Sequence, residues 1–481
     1  MKDFFDLSEV VGVLQGFNPW WTGAPFEPRP FQRLAYQVCR GYLQDQNLRR
    51  AVLLSGPRRA GKTTILNQIA GDLVTEKVDP KSILYISLDH PLLKLLSLPQ
   101  ILRIYHDNIH PEGKPTFLLL DEVQYSRDWE LQIKQLVDHK PEYRILATGS
   151  ASVVHREKLA ESGVGRWIKV AIPTLSFYEF LRIRNDEMPN ISPDLRPTDL
   201  FSMTPRELAD IGARLRPLMP LFNRYLLVGG FPETARQQDI GLCQRLLRED
   251  VAERVLKRDM TMLFGIRNVS DLEKLFIYLC LHTGGILAVQ NCAKALGTTA
   301  NTVSSHLESL EQANLIYRLP PDEIGGKKVL KARYKVYLVD AALRNAVLLR
   351  GEDILKNPQE TGIIVETAVL RHLYAYYYRE TPRITYWRNA VTDKEVDIII
   401  KTPKYAIPVE VKYREDASLS AKEGIVGYCR ETKTPNAYWV TQREQDFGVV
   451  QFPGLDARFL KIPAHIFTYL LGQAERLIWT E

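Results

Sequence analysis

The feature that most constrains this chain is a glycine-rich string near its N-terminus, Gly56-Pro57-Arg58-Arg59-Ala60-Gly61-Lys62-Thr63. It matches the pattern GxxxxGK[ST] at every specified position. A short apolar run, Ala51 to Ser55, precedes the string, and apolar residues recur at helical spacing from Thr64 to Val74. Strand, glycine-rich loop and helix together predict a backbone cradle for phosphate groups, because the loop N–H groups converge at a positive helix end.

The residue types within this loop predict individual roles. Lys62 is expected to reach the β and γ phosphate oxygens, where it serves catalysis as well as binding, and the hydroxyl of Thr63 is expected to bind Mg²⁺. The predicted nucleotide contacts are Gly56, Pro57, Arg58, Arg59, Ala60, Gly61, Lys62, Thr63 and Thr64. The string therefore predicts that ATP and Mg²⁺ are the cofactors.

An acidic pair, Asp121-Glu122, follows a second apolar run at Phe117 to Leu120. A P-loop site needs one carboxylate at a strand end to hold Mg²⁺, and it usually needs a second to polarise the attacking water. We therefore predict that Asp121 binds the metal and that Glu122 acts on the water. Such a pair by itself is often only a solvated turn, but downstream of a P-loop it is the expected partner.

Further strand-like runs complete a predicted sheet. Tyr143 to Ala147 leads into Thr148-Gly149-Ser150, so that small hydroxyls, Ser150 among them, follow a strand where a γ-phosphate sensor would lie. Ser82 to Leu88 and Trp167 to Ile172 are two more such runs. Short apolar runs that alternate with helical stretches indicate an α/β fold whose parallel sheet is covered by helices on both faces.

The middle of the chain has the pattern of a winged helix-turn-helix, namely three helices followed by a hairpin. The helical patterns are Leu272 to His282, Leu287 to Leu296 and Thr299 to Ala313, and the strand-like stretches are Leu315 to Leu319 and Tyr334 to Val339. The third helix presents Asn301, Ser304, Ser305 and His306 without a lysine or arginine, which weakens direct reading of bases.

The hairpin is richer in positive charge. Its basic residues are Lys327, Lys328, Lys331, Arg333 and Lys335. Such a cluster suits contacts to DNA phosphates, which would be salt-dependent and independent of sequence. The alternative is a solvated loop tip on a domain that packs between its neighbours.

The C-terminal part combines a helical pattern that contains Glu366 with four strand-like stretches. These stretches are Ile384 to Arg388, Val396 to Ile400, Ala406 to Val411 and Ala437 to Thr441. Because side chains alternate along a strand, Glu410 and Lys412 are expected on one face, with Asp397 on the preceding strand. Two carboxylates beside a lysine suit Mg²⁺-assisted phosphodiester cleavage, with Asp397 and Glu410 as the metal ligands.

The arrangement resembles the AAA+ ATPases, and several strings resemble one prokaryotic branch of them. They are Gly-Pro-Arg-Arg-x-Gly-Lys-Thr-Thr, Leu120-Asp121-Glu122-Val123-Gln124, Thr148-Gly149-Ser150-Ala151, Leu175-Ser176-Phe177-Tyr178-Glu179-Phe180 and Gly229-Gly230-Phe231-Pro232. In that branch the ATPase precedes a winged helix and a C-terminal domain of restriction-nuclease type. The resemblance implies a P-loop ATPase core at 1–195, a helical lid or linker at 196–265, a winged helix at 266–338 and a nuclease-like α/β domain at 339–481.

Two sets of residues gain a role from this resemblance. The first set resembles the PD-(D/E)xK nuclease core and consists of Glu366, Asp397, Glu410 and Lys412. It departs from the fuller motif, because Glu395 and Val396 stand before Asp397 in place of the proline and turn. AAA+ enzymes usually complete their sites with an arginine from a neighbouring subunit. Arg166 is the first candidate, Arg156 the second, and an ordinary surface arginine is the alternative. The resemblance implies self-association, in the form of a hexameric ring.

Composition bears on the binding partners, the cellular location and the role of the cysteines. The net charge of +6 over 481 residues does not by itself identify a nucleic-acid binder. The apolar runs are far shorter than the roughly 20 residues of a membrane span, and the N-terminus lacks the order of a secretory signal, so a cytoplasmic location without membrane contact is expected. Five cysteines without a CxxC pair argue against a disulfide framework and a zinc ribbon.

Three functional interpretations follow. The first is an oligomeric ATPase that acts on DNA and couples ATP turnover to DNA binding or remodelling. The second is an ATP-gated, Mg²⁺-dependent nuclease of defence or repair. The third is a nucleotide-dependent switch that assembles on a protein partner and contacts no nucleic acid.

Overall fold

The computed structural model describes residues 7–45, 47–149, 165–322, 333–389 and 391–480. The chain divides into two compact units, one formed by Met1–Ile172 with Gln312–Asn314 and the other by Pro173–Glu311 with Leu315–Glu481. Among the described residues, no helix combines the length and the apolar character that a membrane span requires.

The first unit is an α/β domain built on five parallel strands. Its helices are α1 (Leu7–Phe17), α2 (Leu34–Gln44), α3 (Lys62–Thr75), α4 (Leu98–Asn108) and α5 (Trp129–His139). Its strands are β1 (Ala51–Ser55), β2 (Ile83–Ser87), β3 (Thr116–Asp121), β4 (Tyr143–Gly149) and β5 (Trp167–Ala171). They pair side by side in the order β2-β3-β4-β1-β5, and every pair is parallel. The predicted parallel α/β sheet is confirmed.

Both faces of this sheet are buried. On β3, Leu118 and Leu120 belong to a hydrophobic cluster that includes residues of α1, α4 and α5. Leu119 lies between them, so its side chain points to the opposite face, and it is equally inaccessible to solvent. Continuous apolar strands of this kind are typical of parallel sheets with covered faces.

The residues after Ile172 begin with a helical region. It comprises α6 (Phe177–Arg184), α7 (Pro205–Leu215), α8 (Met219–Val228), α9 (Pro232–Arg236), α10 (Ile240–Leu246), two π-helical segments (Leu247–Glu253 and Val255–Asp259) and α11 (Met260–Phe264). In the structure α6 groups with the second unit. The predicted domain bounds, with the ATPase core ending at residue 195, stay a prediction.

The residues around α6 explain why this helix groups with the second unit. Ser176 and Glu179 form a capping box that starts the helix, and the backbone N–H of Phe177 donates to Nε2 of His372 at 2.8 Å. A Cβ atom at Gly472 would lie 2.9 Å from Ser176. These contacts anchor α6 to the C-terminal part of the chain, so the Leu175–Phe180 string has a packing role.

The Gly229-Gly230 string also has a packing reason. Gly229 adopts φ of 75°, and a Cβ atom there would lie 2.5 Å from Oδ1 of Asp340. The N–H of Gly230 donates to Oδ2 of the same carboxylate at 2.9 Å. Burial raises the pKa of Asp340, while its hydrogen bonds to Gly230 and Ala342 oppose that rise.

The middle region is a module of three helices and three strands. Its elements are α12 (Val269–Leu281), β6 (Ile286–Ala288), α13 (Val289–Leu296), α14 (Ala300–Gln312), β7 (Ile316–Leu319) and β8 (Arg333–Leu338). The strands form an antiparallel sheet in the order β6-β8-β7. All five predicted elements are present and β6 is additional, whereas the assignment as a winged helix stays a prediction.

The C-terminal region carries a mixed sheet of six strands. Its helices are α15 (Ala341–Val347), α16 (Pro358–Tyr377), α17 (Gly424–Thr432) and α18 (Ala464–Thr480). Its strands are β9 (Arg383–Arg388), β10 (Glu395–Lys401), β11 (Ala406–Lys412), β12 (Asn436–Thr441), β13 (Gly448–Gln451) and β14 (Arg458–Pro463), ordered β13-β14-β12-β11-β10-β9. The four predicted strands are confirmed, and β13, β14, α15, α17 and α18 are additional.

Candidate functional site: the P-loop and the C-terminal carboxylate cluster

The glycine-rich loop joins β1 to the start of α3. Gly61 precedes the helix with φ of 96°, and Arg59 also has a positive φ, of 65°. A Cβ atom at Gly56 would lie 2.0 Å from the carbonyl oxygen of Ile172, so only glycine fits there. These constraints give the loop the tight curvature that its sequence predicts.

Lys62 is the first residue of α3, and its side chain is only 5% exposed. Its ammonium donates to the carbonyl oxygens of Gly56 at 3.0 Å and Pro57 at 2.9 Å. The positive charge therefore lies across the loop, beside the N-terminal end of a fourteen-residue helix. Both features favour an anion at this place.

Asp121 lies at the end of β3 and is surrounded by hydroxyl groups. Thr63 donates to its Oδ2 at 2.7 Å, Tyr85 donates to the same oxygen at 3.2 Å, and Thr148 donates to its Oδ1. Burial raises the pKa of this carboxyl and the charge of Glu122 adds to the rise, while the hydrogen bonds from Thr148 and Thr63 oppose it.

Oxygen donors of this kind are the ligands that Mg²⁺ prefers. The Thr63 hydroxyl and the Asp121 carboxylate lie within hydrogen-bond distance of each other, at the helix end where phosphates are expected. The residues present therefore fit the predicted metal. Tyr85 was not predicted to take part, although a tyrosine within the apolar strand β2 signals a hydroxyl that needs a partner.

Glu122 follows Asp121 with φ of 55°, outside the helical and strand regions. Its backbone N–H donates to the hydroxyl of Thr148 at 3.1 Å, and its carboxylate accepts a hydrogen bond from the amide of Gln124. Thr148 therefore connects the ends of β3 and β4 by contacting both acidic residues. The structure brings the predicted pair and the Thr148 hydroxyl into one site.

Of the remaining residues predicted for the ATPase site, the structure describes Arg166 but not Ser150 or Arg156. Arg166 is 40% exposed at its side chain and forms an ion pair with Asp138 of the same chain, with Nε 3.1 Å from Oδ1. Ser150 and Arg156 lie outside the described residues. Their roles as γ-phosphate sensor and as trans-acting arginines stay predictions.

The predicted DNA-binding cluster is partly outside the described residues as well, since Lys327, Lys328 and Lys331 are not described. Arg333 is exposed at the start of β8. The prediction for Lys335 is wrong, because this side chain is only 2% exposed and forms ion pairs with carboxylates. His306 on α14 is also buried, at 9% exposure, because it faces the interior of the module.

The predicted nuclease residues do come together in the C-terminal region. Asp397 accepts hydrogen bonds from Lys335 at 2.7 Å through Oδ1 and from the Val411 N–H at 2.9 Å through Oδ2. Glu410 accepts one from the Asp397 N–H at 3.3 Å through Oε2 and one from Lys412 at 2.5 Å through Oε1. Every oxygen of the two carboxylates therefore has a donor.

Glu366 on α16 completes this group, and three further residues belong to it. Its Oε1 accepts hydrogen bonds from Tyr337 at 2.5 Å and from Lys335 at 3.1 Å. Lys335 also lies 2.7 Å from Oε1 of Glu395. We refer to these side chains as the carboxylate cluster: Glu366, Glu395, Asp397, Glu410, Lys335, Lys412 and Tyr337. No local pattern pointed to Lys335 or Tyr337, because both come from β8.

The electrostatics of the carboxylate cluster are strongly perturbed. Burial, with the nearby charge of Asp397, raises the pKa of Glu366 to about 7 and that of Glu410 to about 8. Burial also acts to raise the pKa of Asp397, but the charges of Lys335 and Lys412 outweigh it, and the pKa is lowered. Among Glu366, Glu410 and Asp397, the last is therefore the carboxyl whose anionic form is most favoured.

The cluster does not fit the Mg²⁺ predicted at Asp397 and Glu410. Within the described residues, no group of three or more histidine, cysteine, aspartate or glutamate side chains is arranged to hold a metal ion. The oxygens of Asp397 and Glu410 that would face a metal already accept hydrogen bonds, two of them from ammonium groups. A divalent ion would have to displace a lysine that is buried with them.

Comparison with known proteins supports an ATPase domain in the N-terminal part of the chain. Residues 48–181 match the model of an AAA domain. The chain contains an AAA-type P-loop ATPase domain. Residues 219–353 match a domain of unknown function, DUF8612, and residues 361–457 match another, DUF4143. The carboxylate cluster thus lies mainly within the DUF4143 match, and Lys335 comes from the DUF8612 match.

Relatives extend over most of the chain. An uncharacterized protein of Haemophilus influenzae is 23% identical over 368 residues, which are 75% of this chain and 82% of that protein. An uncharacterized protein of Methanocaldococcus jannaschii is 24% identical over 340 residues, 70% of each. Among solved structures, a Walker-type ATPase of Pyrococcus abyssi is similar, with 18% identity and a TM-score of 0.40 over 68% of this chain and 99% of that chain.

Proposed function

We propose that this protein binds ATP with Mg²⁺ at its P-loop and hydrolyses it. The observation that carries the proposal is the hydrogen bond of 2.7 Å between Thr63 and Asp121, directly beside the loop that Lys62 spans. The residues expected to hold the metal and the phosphates, which lie on α3 and β3, are thereby brought to one place by the parallel sheet.

Each residue of this site has a distinct role in the proposal. Backbone N–H groups from Gly56 to Thr64 hold the phosphates, and Lys62 neutralises charge on the β and γ oxygens. Thr63 and Asp121 hold Mg²⁺, which supplies further neutralisation of phosphate charge. Glu122 orients the attacking water and accepts its proton, and Ser150 contacts the γ-phosphate.

Calorimetry with the purified chain tests nucleotide binding directly. We expect ATP to bind at one site per chain in the presence of Mg²⁺, and phosphate release to follow at a measurable rate. Removal of Mg²⁺ with a chelator should stop phosphate release. Failure of the folded protein to bind any adenine nucleotide would refute the proposal.

For the partner, we propose that the protein acts on DNA as an oligomer and couples ATP turnover to DNA binding or remodelling. The module of α12 to α14 and β6 to β8 supports this, since α14 exposes Asn301, Ser304 and Ser305, and Arg333 is exposed on β8. In the sequence, the basic residues Lys327, Lys328 and Lys331 shortly precede Arg333. Such charge gives binding that weakens as salt is added.

A gel-shift panel tests the DNA proposal. Duplex, forked and single-stranded DNA are compared with and without a non-hydrolysable ATP analogue, and ATP turnover is measured with each DNA. We expect at least one DNA to bind and to raise turnover. If none does, and a specific protein is captured with ATP, the switch on a protein partner replaces this proposal.

Self-association is tested by sedimentation with the ATP analogue, for which a hexamer is the proposed form. In that form Arg166 contacts the nucleotide of a neighbouring subunit. Arg166→Ala should then slow ATP turnover in the oligomer without weakening nucleotide binding. Because Arg166 pairs with Asp138 within its own chain, Asp138→Asn is the matched control, and equal loss in both variants would assign the arginine a structural role.

The second proposed interpretation, an ATP-gated nuclease, is supported by the assembly of Glu366, Asp397, Glu410 and Lys412 in one cluster. It is opposed by the buried ammonium of Lys335 beside Asp397. Incubation of plasmid or linear DNA with Mg²⁺ or Mn²⁺ decides between the nuclease and the DNA-acting ATPase. Metal-dependent nicking that Lys412→Ala abolishes would support the nuclease, and its absence leaves the DNA-acting ATPase.

A further inference from the structure

Lys335 is an unusual lysine because it is buried and surrounded by acids. Its Nζ atom lies 2.7 Å from Asp397, 2.7 Å from Glu395 and 3.1 Å from Glu366. An ammonium group has three N–H donors and no acceptor. Lys335 donates hydrogen bonds to Asp397 and Glu366, and Glu395 adds an ion pair, so three carboxylates surround its charge.

The position of this ammonium is set by the backbone of β8. That strand is central in its sheet, and Lys335 pairs with Ile286 of β6 on one side and with Leu319 of β7 on the other. The carboxylates come from other elements, Glu366 from α16, and Glu395 and Asp397 from β10. Lys335 therefore lies in the carboxylate cluster on a strand whose position is fixed by pairing with β6 and β7.

A buried charge is tolerated only when partners compensate for its lost hydration. The side chain of Lys335 is 2% exposed and that of Asp397 is 12% exposed. The two groups therefore depend on each other, and neither behaves as a solvated surface ion. A divalent cation that entered between these carboxylates would meet a fixed positive charge within a few ångströms.

We propose that the ammonium of Lys335, which β8 positions between the carboxylates, is the cation of the carboxylate cluster and that it excludes divalent metal ions from the cluster. The ammonium performs the charge neutralisation that a metal would otherwise supply. Removal of its charge should convert the same carboxylates into a divalent-metal site. This inference does not depend on nucleotide binding or on the proposed ATPase activity.

Titration of the full-length chain with MnCl₂ in the absence of nucleotide tests this directly, with binding followed by calorimetry. The wild-type protein should show no Mn²⁺ site that responds to Asp397→Asn. Lys335→Met removes the charge while keeping an unbranched side chain, and it should create one Mn²⁺ site at least ~10-fold tighter than any in the wild type. The double variant Lys335→Met with Asp397→Asn should lose that site.

Two further variants separate charge from shape. Lys335→Arg keeps a positive charge, so it should remain without the new site, and Lys356→Met removes a solvent-exposed lysine as a control. Circular dichroism verifies that each variant is folded, and Lys335→Gln replaces Lys335→Met if the latter is not. A folded Lys335→Met or Lys335→Gln protein that binds no Mn²⁺ would overturn the proposal.

The wild-type titration is informative even if no Lys335 variant folds. If the wild-type chain binds Mn²⁺ and Asp397→Asn removes that binding, the metal and the lysine share the cluster and the proposal fails. If the wild-type isotherm is the same with and without Asp397→Asn, the cluster excludes Mn²⁺ as proposed.

Discussion

The P-loop site and the carboxylate cluster both place an aspartate on a strand, yet they surround it with different partners. Asp121 accepts hydrogen bonds from the hydroxyls of Thr63, Thr148 and Tyr85. Asp397 accepts one from the ammonium of Lys335 instead. A hydroxyl can accept as well as donate, so it can turn to share a metal ion, whereas an ammonium can only donate.

The comparison shows that carboxylates on strands do not identify a metal site by themselves. At Asp121 the neighbouring element is the start of α3, which brings a hydroxyl and a positive helix end. At Asp397 it is β8, which brings a lysine. The neighbouring element, α3 or β8, therefore decides whether the negative charge of the aspartate is available to a metal or already neutralised.

The largest expected effect is at the P-loop, where Lys62→Ala would remove the charge that spans the loop. We expect ATP hydrolysis to fall by about 10³-fold, a loss of about 4 kcal/mol of transition-state stabilisation, together with weaker nucleotide binding. Steady-state phosphate release and calorimetry measure the two effects. Lys114→Ala, at an exposed position, is the control, and a similar loss there would show that the assay does not report on the loop.

The next effect separates catalysis from binding at the same site. Glu122→Gln keeps the shape of the side chain and its place beside Gln124, but removes the negative charge expected to act on water. Turnover should fall by about 10²-fold, while affinity for ATP stays within a few-fold of the wild type. Binding is followed with a fluorescent nucleotide and compared with Glu112→Gln. Parallel loss of binding and turnover would contradict the assigned role.

A smaller effect is expected at the carboxylate cluster. Asp397→Asn leaves the buried ammonium of Lys335 with two charged partners in place of three, and we expect unfolding free energy to fall by about 2 kcal/mol. Urea denaturation measures the change. Asp353→Asn breaks an exposed ion pair with Lys356 and should give no measurable loss. Equal stability of the two variants would mean that the cluster is more hydrated than its burial indicates.

The smallest effect depends on pH. Burial and Asp397 raise the pKa of Glu410 from its ordinary value of 4.5 to about 8, while the charges of Lys412 and Lys335 and the hydrogen bond from Lys412 oppose this rise. A carboxyl whose pKa is higher in the folded state adds stability below pH 4.5, and this contribution is lost as the pH rises through about 8.

Glu410→Gln imitates the protonated carboxyl and does not titrate. Its stability relative to the wild type should therefore increase between pH 5 and pH 6, by about 1 kcal/mol. Denaturation curves at four pH values across this interval measure the trend. A difference between the two proteins that stays constant with pH would indicate that Glu410 has the same pKa in the folded and unfolded states.

The first unit was the more predictable half of the molecule because its signals are local. The strands β1 to β5 each coincide with a short apolar run, and α3 follows the glycine-rich loop as expected. The C-terminal sheet was predicted only in part. Its strands β13 and β14 carry partly exposed residues, and α17 and α18 were not distinguished from their surroundings in the sequence.

Prediction of individual residues failed where distant segments meet. Lys335 was grouped with Lys327, Lys328, Lys331 and Arg333 because these basic residues lie close together in the sequence. Its burial depends on Asp397, 62 positions away, which no local pattern connects to it. His306 was misplaced for a similar reason, since the face that a helical residue presents depends on the elements that pack against it.

The sequence alone determined the P-loop, the acidic pair after β3 and the strands of the first unit, because each depends on backbone propensity and on residues close together in the chain. Only the tertiary structure decided which charges meet. Thr63 and Lys335 each reach an aspartate through long-range packing, and the free energy of a buried charge depends on that partner. The same kind of acidic residue is thereby matched with hydroxyl groups in one region and with a lysine in the other.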